Sequence, residues 1–193
     1  MKTIKKTDLE SKNKKTNKNF TINLDRTIEW LGGVNFENLE KTLGEIKSLI
    51  RKDSQAEIHL VVNSFGGPTG VGMSFYDAVT SWLKPNLVTI GSGDVDSSGI
   101  IIFLSGKKRF LTKNTTLLLH LGGRTFGTDK RFSTADMEAI IKEDSLKDYQ
   151  YSCVVADATR GKYSPEKVLD MMKKNTILTA EEAVNMGLAD TVL

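Results

Sequence analysis

The residues that can do chemistry in this 193-residue chain are few: two histidines, one cysteine and a run of serines. The most suggestive stretch is Gly91-Ser-Gly-Asp-Val-Asp-Ser-Ser-Gly99. It follows a β-like segment at 87–90 and opens an apolar run at 100–104 that reads as a buried helix. Ser97 and Ser98 therefore sit at a strand-to-helix junction, where the first helical N–H groups have no internal partner. Such an end favours negative charge, so it can support a nucleophilic oxygen or an oxyanion. A serine there also serves as an ordinary N-cap. His120 ends a second apolar strand, and in open α/β sheets ligands gather beyond the carboxyl ends of strands. A third such end carries Gly66-Gly67, whose backbone N–H can face an oxyanion beside that of Ser98. A hydroxyl needs a base, and the base needs a group to hold its tautomer. Together these parts suit acyl transfer.

Other chemistry is poorly supported. His59 lies inside an apolar strand at 57–63 and reads as a hydrogen-bonded sheet histidine. One cysteine, two separated histidines and no His-Glu-x-x-His motif argue against zinc. No Walker loop is present, and Gly91-Ser-Gly lacks the rest of a dinucleotide fingerprint.

The elements that must position these residues follow from periodicity. Residues 27–31 alternate and precede Gly32-Gly33, which predicts a first strand. Phe36, Leu39, Leu43, Ile46 and Ile50 share one helical face, with Asn35 as N-cap. The strand at 57–63 is apolar enough to be buried on both faces. A helix over 70–83 is closed by Lys84-Pro85. Strands at 87–90, 108–111 and 115–120 and a short helix at 98–104 continue an alternation of the βαβ kind, with parallel strands. A polar, glycine-bearing segment at 122–130 leads to a long helix from Ser133 to about Arg160, stopped by Gly161. Ser164-Pro165 starts another helix, and Thr179-Ala-Glu-Glu182 is a capping box for a last one. Residues 190–193 form a closing strand or tail.

Charge and hydropathy narrow the setting. The net charge of +3 is uneven: residues 1–19 hold seven lysines against Asp8 and Glu10, leaving the remainder net negative. That leader, taken as residues 1–26, is too polar to fold alone and reads as a solvated tail. No aromatic residue interleaves with its lysines, so nucleic acid is not an expected partner. No apolar run approaches the ~18 residues that span a bilayer, and no secretory h-region is visible. A cytoplasmic protein with one domain over 27–193 is expected.

Four motifs in order resemble the proteolytic subunit of the caseinolytic (Clp) protease family. Asn63-Ser-Phe-Gly-Gly-Pro-Thr-Gly-Val-Gly-Met-Ser-Phe-Tyr-Asp77 looks like its Asn-Ser-Pro-Gly-Gly-Ser-Val stretch. Gly93-Asp-Val-Asp-Ser-Ser-Gly99 is similar to its nucleophile motif and puts the nucleophile on Ser97. Thr116-Leu-Leu-Leu-His120 resembles the strand ending in its catalytic histidine, and the segment 178–190 its C-terminal signature. The resemblance implies an α/β fold, a β/α spiral of the crotonase-like class with an extended handle helix, here about 122–160. It implies a Ser97–His120–Asn175 triad, with oxyanion-hole amides on Gly67 and Ser98. It also implies heptameric rings, two of them enclosing a chamber, and an AAA+ unfoldase partner. That partner would use the ATP; this chain would bind no cofactor.

The sequence also departs from the family pattern. Asn175 stands where the family carries its acid, and an amide cannot balance an imidazolium charge. Asp170 or Asp129 could supply a carboxylate instead. Asp94 and Asp96 replace small neutral residues, and Lys173-Lys174 replaces an Asp-Arg pair that bridges two rings. The Gln-Pro pair after the histidine is missing, and residues 1–26 do not match the family's N-terminal loop and first helix. A catalytically impaired subunit assembling with an active paralogue is therefore the main alternative. A crotonase-like acyl-CoA enzyme and a Ser–Lys dyad rank lower.

Overall fold

The computed structural model describes residues 20–193, so the lysines of the leader lie outside the described residues. Strands β1 (Thr27–Gly33), β2 (Ile58–Gly66), β3 (Leu87–Val95), β4 (Lys108–Leu111) and β7 (Thr191–Val192) form a parallel sheet in that order. Helices α1 (Phe36–Lys52), α2 (Thr69–Asp77) and α3 (Ser98–Leu104) make the crossovers between its first four strands. Strand β5 (Thr116–Leu119) leaves this sheet, touching β3 in parallel at Asp94–Thr116 and pairing antiparallel with β6 (Thr176–Thr179). Helices α4 (Thr134–Ala158), α5 (Pro165–Met172) and α6 (Ala180–Met186) complete the order. Among the described residues no helix is long and apolar enough to cross a membrane.

Local chemistry explains the elements. The Asn35 side chain accepts the Asn38 N–H at 2.9 Å to start α1, which buries Leu39, Ile46 and Leu49. Capping boxes open α4 at Ser133 and α6 at Thr179. Helix α3 is buried on every side, and Ile100, Ile101, Ile102 and Phe103 are fully enclosed. Each such side chain contributes about 1.5–3 kcal/mol of apolar burial, so this short helix is an immobile base for the turn before it.

Two boundaries differ from expectation. The helix over 70–83 is α-helical only to Asp77 and continues in wider π turns over Ala78–Leu83. Lys84 then turns left-handed (φ 47°) ahead of Pro85, because proline disfavours the helical conformation in the residue before it. Strand β3 runs to Val95 instead of ending at Ile90. A register shift after Val62 lets Val95 pair with Ser64, which keeps the glycine-bearing stretch extended. The long helix buries Tyr151, Val155 and Ala156 in its second half, but Met137, Ile141 and Leu146 in its first half stay exposed.

Strand β2 is buried on both faces, as its composition predicts. Ile58, Leu60 and Val62 join the main core, while Val88, Ile90 and Phe110 form a second cluster against Val61 and Phe20. His59 lies on this second side, edge-on to Phe20 at 6.1 Å. It is buried, but the expected hydrogen bond is absent: Nδ1 has no partner among the described residues. Its neighbour Phe20, itself packed on Phe110, presents a ring and not an acceptor. Burial holds this imidazole below its ordinary value of 6.5; Glu57 opposes the shift and Lys108 adds to it. A histidine that resists protonation when folded keeps its full contribution to stability above 6.5 and loses it as pH falls toward the depressed value. The urea midpoint should therefore fall as pH is lowered from about 7 toward about 5. His59→Leu should flatten that interval; an unaltered slope would contradict the account.

Candidate active site

The turn after β3 is stitched to both neighbouring strands. The Asp96 N–H donates to Ser64 O at 2.8 Å, and the Ser97 N–H donates to Leu118 O at 2.9 Å. The Leu118 N–H returns to Asp96 Oδ1 at 2.8 Å. Ser97 is thereby held at φ 55°, ψ −130°, a conformation that costs a non-glycine residue on the order of 1–3 kcal/mol. Two donors fix its carbonyl: the Ile100 N–H at 3.0 Å and the Tyr151 hydroxyl at 3.1 Å. Burial, with Asp96 nearby, pushes the Tyr151 hydroxyl far above its ordinary value, so it stays a donor. Ser97 occupies the N-cap position of α3 but does not cap it through its side chain. Its Oγ has no hydrogen-bond partner among the described residues.

The glycines beside it are required by space. Gly66 has φ +93°, and a Cβ there would lie 2.5 Å from Ser97 Cβ. A Cβ on Gly67 would lie 2.2 Å from Val34 O, a backbone atom that cannot swing away. The Ser98 hydroxyl donates to Gly67 O at 2.8 Å and ties this turn to the start of α3. Gly67 and Ser98, singled out in the sequence as oxyanion donors, thus lie on two joined turns. Neither amide donates to a protein acceptor among the described residues.

His120 follows β5 directly, and β5 is the strand that clamps Ser97. Its Nδ1 lies 2.7 Å from Leu121 O. A carbonyl can only accept, so Nδ1 carries a proton; in the neutral ring that leaves the lone pair on Nε2, the tautomer a general base needs. Ser97, His120, Gly66 and Gly67 line one open cleft of about 540 Å³, with Arg124, Asp144, Lys147 and Asp148 on its far wall.

Asn175 precedes Thr176, the partner of Leu119, and so lies beside His120 in the chain register, yet no hydrogen bond joins the two among the described residues. Asn175 is exposed at a left-handed turn (φ 50°) before β6, its side chain makes no hydrogen bond among the described residues, and it does not line the cleft. In this structure the His120 Nδ1 is engaged by the Leu121 carbonyl. Asp129 is exposed and Asp170 faces Lys173 at 3.4 Å, so neither substitutes for Asn175. Asp94 and Asp96 also part ways. Asp94 is exposed, whereas Asp96 is bonded to Leu118 and turned to structural use. Burial pushes the Asp96 carboxyl up; the Leu118 N–H opposes this, Asp94 adds to it and His120 opposes it.

Comparison with known proteins decides the family. The Clp protease family model matches residues 11–193. The chain belongs to the Clp protease family. It is 28% identical over 172 residues to the ATP-dependent Clp protease proteolytic subunit 2 of Tropheryma whipplei (strain Twist), covering 88% of this chain and 92% of that protein. It is 30% identical over 174 residues to the ATP-dependent Clp protease proteolytic subunit of Streptococcus agalactiae serotype V (strain ATCC BAA-611 / 2603 V/R), covering 88% and 85%. The match to this Clp protease model begins well before residue 27, inside the stretch read as a leader. Phe20 from that stretch packs on the sheet, and Arg26 donates to the carbonyls of Glu57, Asp53 and Ala56.

Sequence reasoning expected the 122–130 part of the handle to align a bound peptide but singled out none of the charged residues that wall the site. Arg124 grips Asp144 through Nε at 2.8 and 2.9 Å and Glu143 through Nη2 at 2.6 Å, and Lys147 bonds Glu143 as well. These partners hold the Glu143 carboxyl at about 2. Such pairs are local fasteners between the 121–133 segment and α4, and in sequence they look like any solvated helix face. The Gly66 contact yields a direct test. Gly66→Ala should cost at least about 2 kcal/mol in urea unfolding, from positive-φ strain together with the clash against Ser97. An unchanged midpoint would mean that Ser97 is not seated on Gly66.

Proposed function

We propose that this chain is a serine endopeptidase, the proteolytic subunit of a Clp-type ATP-dependent protease acting on unfolded polypeptides. Ser97 Oγ attacks the scissile carbonyl while His120 Nε2 takes its proton and later returns it to the leaving amine. The Gly67 and Ser98 N–H groups receive the oxyanion. In the single chain the Leu121 carbonyl, and not Asn175, fixes the histidine tautomer. The observation that carries the reading is the strained Ser97 sharing one cleft with His120 and the Gly66–Gly67 turn. The open Ser97 hydroxyl is compatible with it, since catalytic hydrogen bonds often close only around bound substrate.

The same reading has this cytoplasmic chain assembling into heptameric rings, singly or as a stacked pair. The apolar side chains of Leu31, Phe36, Phe65, Trp82, Met137 and Ile141, exposed on a lone chain, give it surface to bury. ATP is used by an AAA+ unfoldase partner, and this chain itself takes no cofactor. A second reading, a structural subunit that relies on an active paralogue, draws on the exposed Asn175 and the unpaired Ser97 hydroxyl.

Hydrolysis of a fluorogenic peptide by the purified chain, alone and mixed with candidate paralogues, separates the two. The endopeptidase reading predicts turnover that Ser97→Ala reduces to background, a loss on the order of 10⁶-fold where a serine nucleophile is removed. Turnover that appears only with a paralogue and survives Ser97→Ala would favour the structural subunit.

A further inference from the structure

Asn175 carries no charge, and the handle helix brings a carboxylate, Asp148, to the cleft. The residue lies on α4 and lines the same cleft as Ser97 and His120. Its Oδ1 accepts the Gly122 N–H at 2.8 Å, two residues after His120, which fixes the carboxylate against the segment carrying the base. The second oxygen has no hydrogen-bond partner among the described residues. The carboxylate is half-buried, and burial pushes it up; Gly122 opposes this, Asp144 adds to it, and His120 is near enough to oppose it.

The other carboxylates around the cleft are already committed. Asp144 gives both oxygens to Arg124, and Glu143 is shared by Arg124 and Lys147. Asp96 is bonded to the Leu118 N–H and does not line the cleft. The two cations in the cleft, Arg124 and Lys147, are each paired to acids of α4. That leaves Asp148 as the one carboxylate lining the cleft whose charge is not bound to a cation, among the described residues.

We infer that Asp148 is the positioning acid of this site: it orients the 120–122 segment through Gly122 and balances the imidazolium that forms when His120 takes the Ser97 proton. This rests on the serine-peptidase reading above. It moves the third function of the triad from the β6 turn to the handle helix, with no change in the bonds made or broken at substrate.

The test uses full-length chain and three side chains at one position. Asp148→Asn keeps an oxygen for the Gly122 N–H and removes only the charge; Asp148→Glu keeps the charge. Fluorogenic-peptide kcat and KM, the rate of Ser97 labelling by a fluorophosphonate probe and the thermal midpoint are measured on each. Asp148→Asn should lower kcat and the labelling rate about tenfold or more, leave KM within about twofold and leave the midpoint near wild type. Asp148→Glu should recover part of the lost rate. Unchanged rates in Asp148→Asn, with Ser97 still labelled, would overturn the role of Asp148 alone. A shared fall in rate and midpoint that Asp148→Glu does not recover would reduce Asp148 to a loop tether and overturn the proposal too. A wild-type Ser97 that the probe does not label would instead overturn the underlying peptidase reading and this assignment with it.

Discussion

The backbone of Leu118 is the constraint on which the site depends. Its carbonyl takes the Ser97 N–H and its N–H goes to Asp96, so one residue of β5 grips both sides of the nucleophile turn. Strand β5 is free to do this because it leaves the main sheet, touching β3 at one pair before joining β6. The same strand delivers His120 just beyond its end. Nucleophile and base are therefore positioned by one set of backbone hydrogen bonds, not by two independent loops. Each such bond has a modest net value, but leaving one unmade in a buried turn costs about 1–3 kcal/mol.

Strain at Ser97 is sustained by what surrounds it. The fully buried α3 lies behind, Gly66 leaves room below, and Tyr151 reaches from the handle to the Ser97 carbonyl. The handle thus acts twice on the site, through Tyr151 on the serine side and through Asp148 on the histidine side. Asp96, a charge that would oppose an oxyanion if it faced the cleft, is turned toward Leu118 instead. Its neighbour Asp94 is left to solvent.

Much of this was legible in the chain. Apolar periodicity located the strands and helices, because each buries one face or both. Ser97, His120 and Gly67 could be placed because strand ends in a parallel sheet converge on one side. Asn175 could not be judged that way. Its position in a motif says which residue aligns, whereas its side chain is set by the left-handed turn before β6. Asp148 and Arg124 were invisible for the opposite reason. Acids and bases on a long helix look solvated until a coil segment folds back across them. His59 was correctly read as buried, but the ring neighbour that denies it a hydrogen bond comes from a distant segment.

The central claim is that Ser97 attacks a carbonyl whose oxyanion falls between the Gly67 and Ser98 amides. A crystal structure of the chain treated with a peptide boronate tests it most directly, because boron takes the tetrahedral shape of the acyl-transfer intermediate. The account predicts a covalent bond from Ser97 Oγ to boron, one boronate oxygen about 2.7–3.1 Å from both amides, and His120 Nε2 turned to the adduct. A boronate bonded to another residue, or seated with its oxygen away from Gly67 and Ser98, would contradict it.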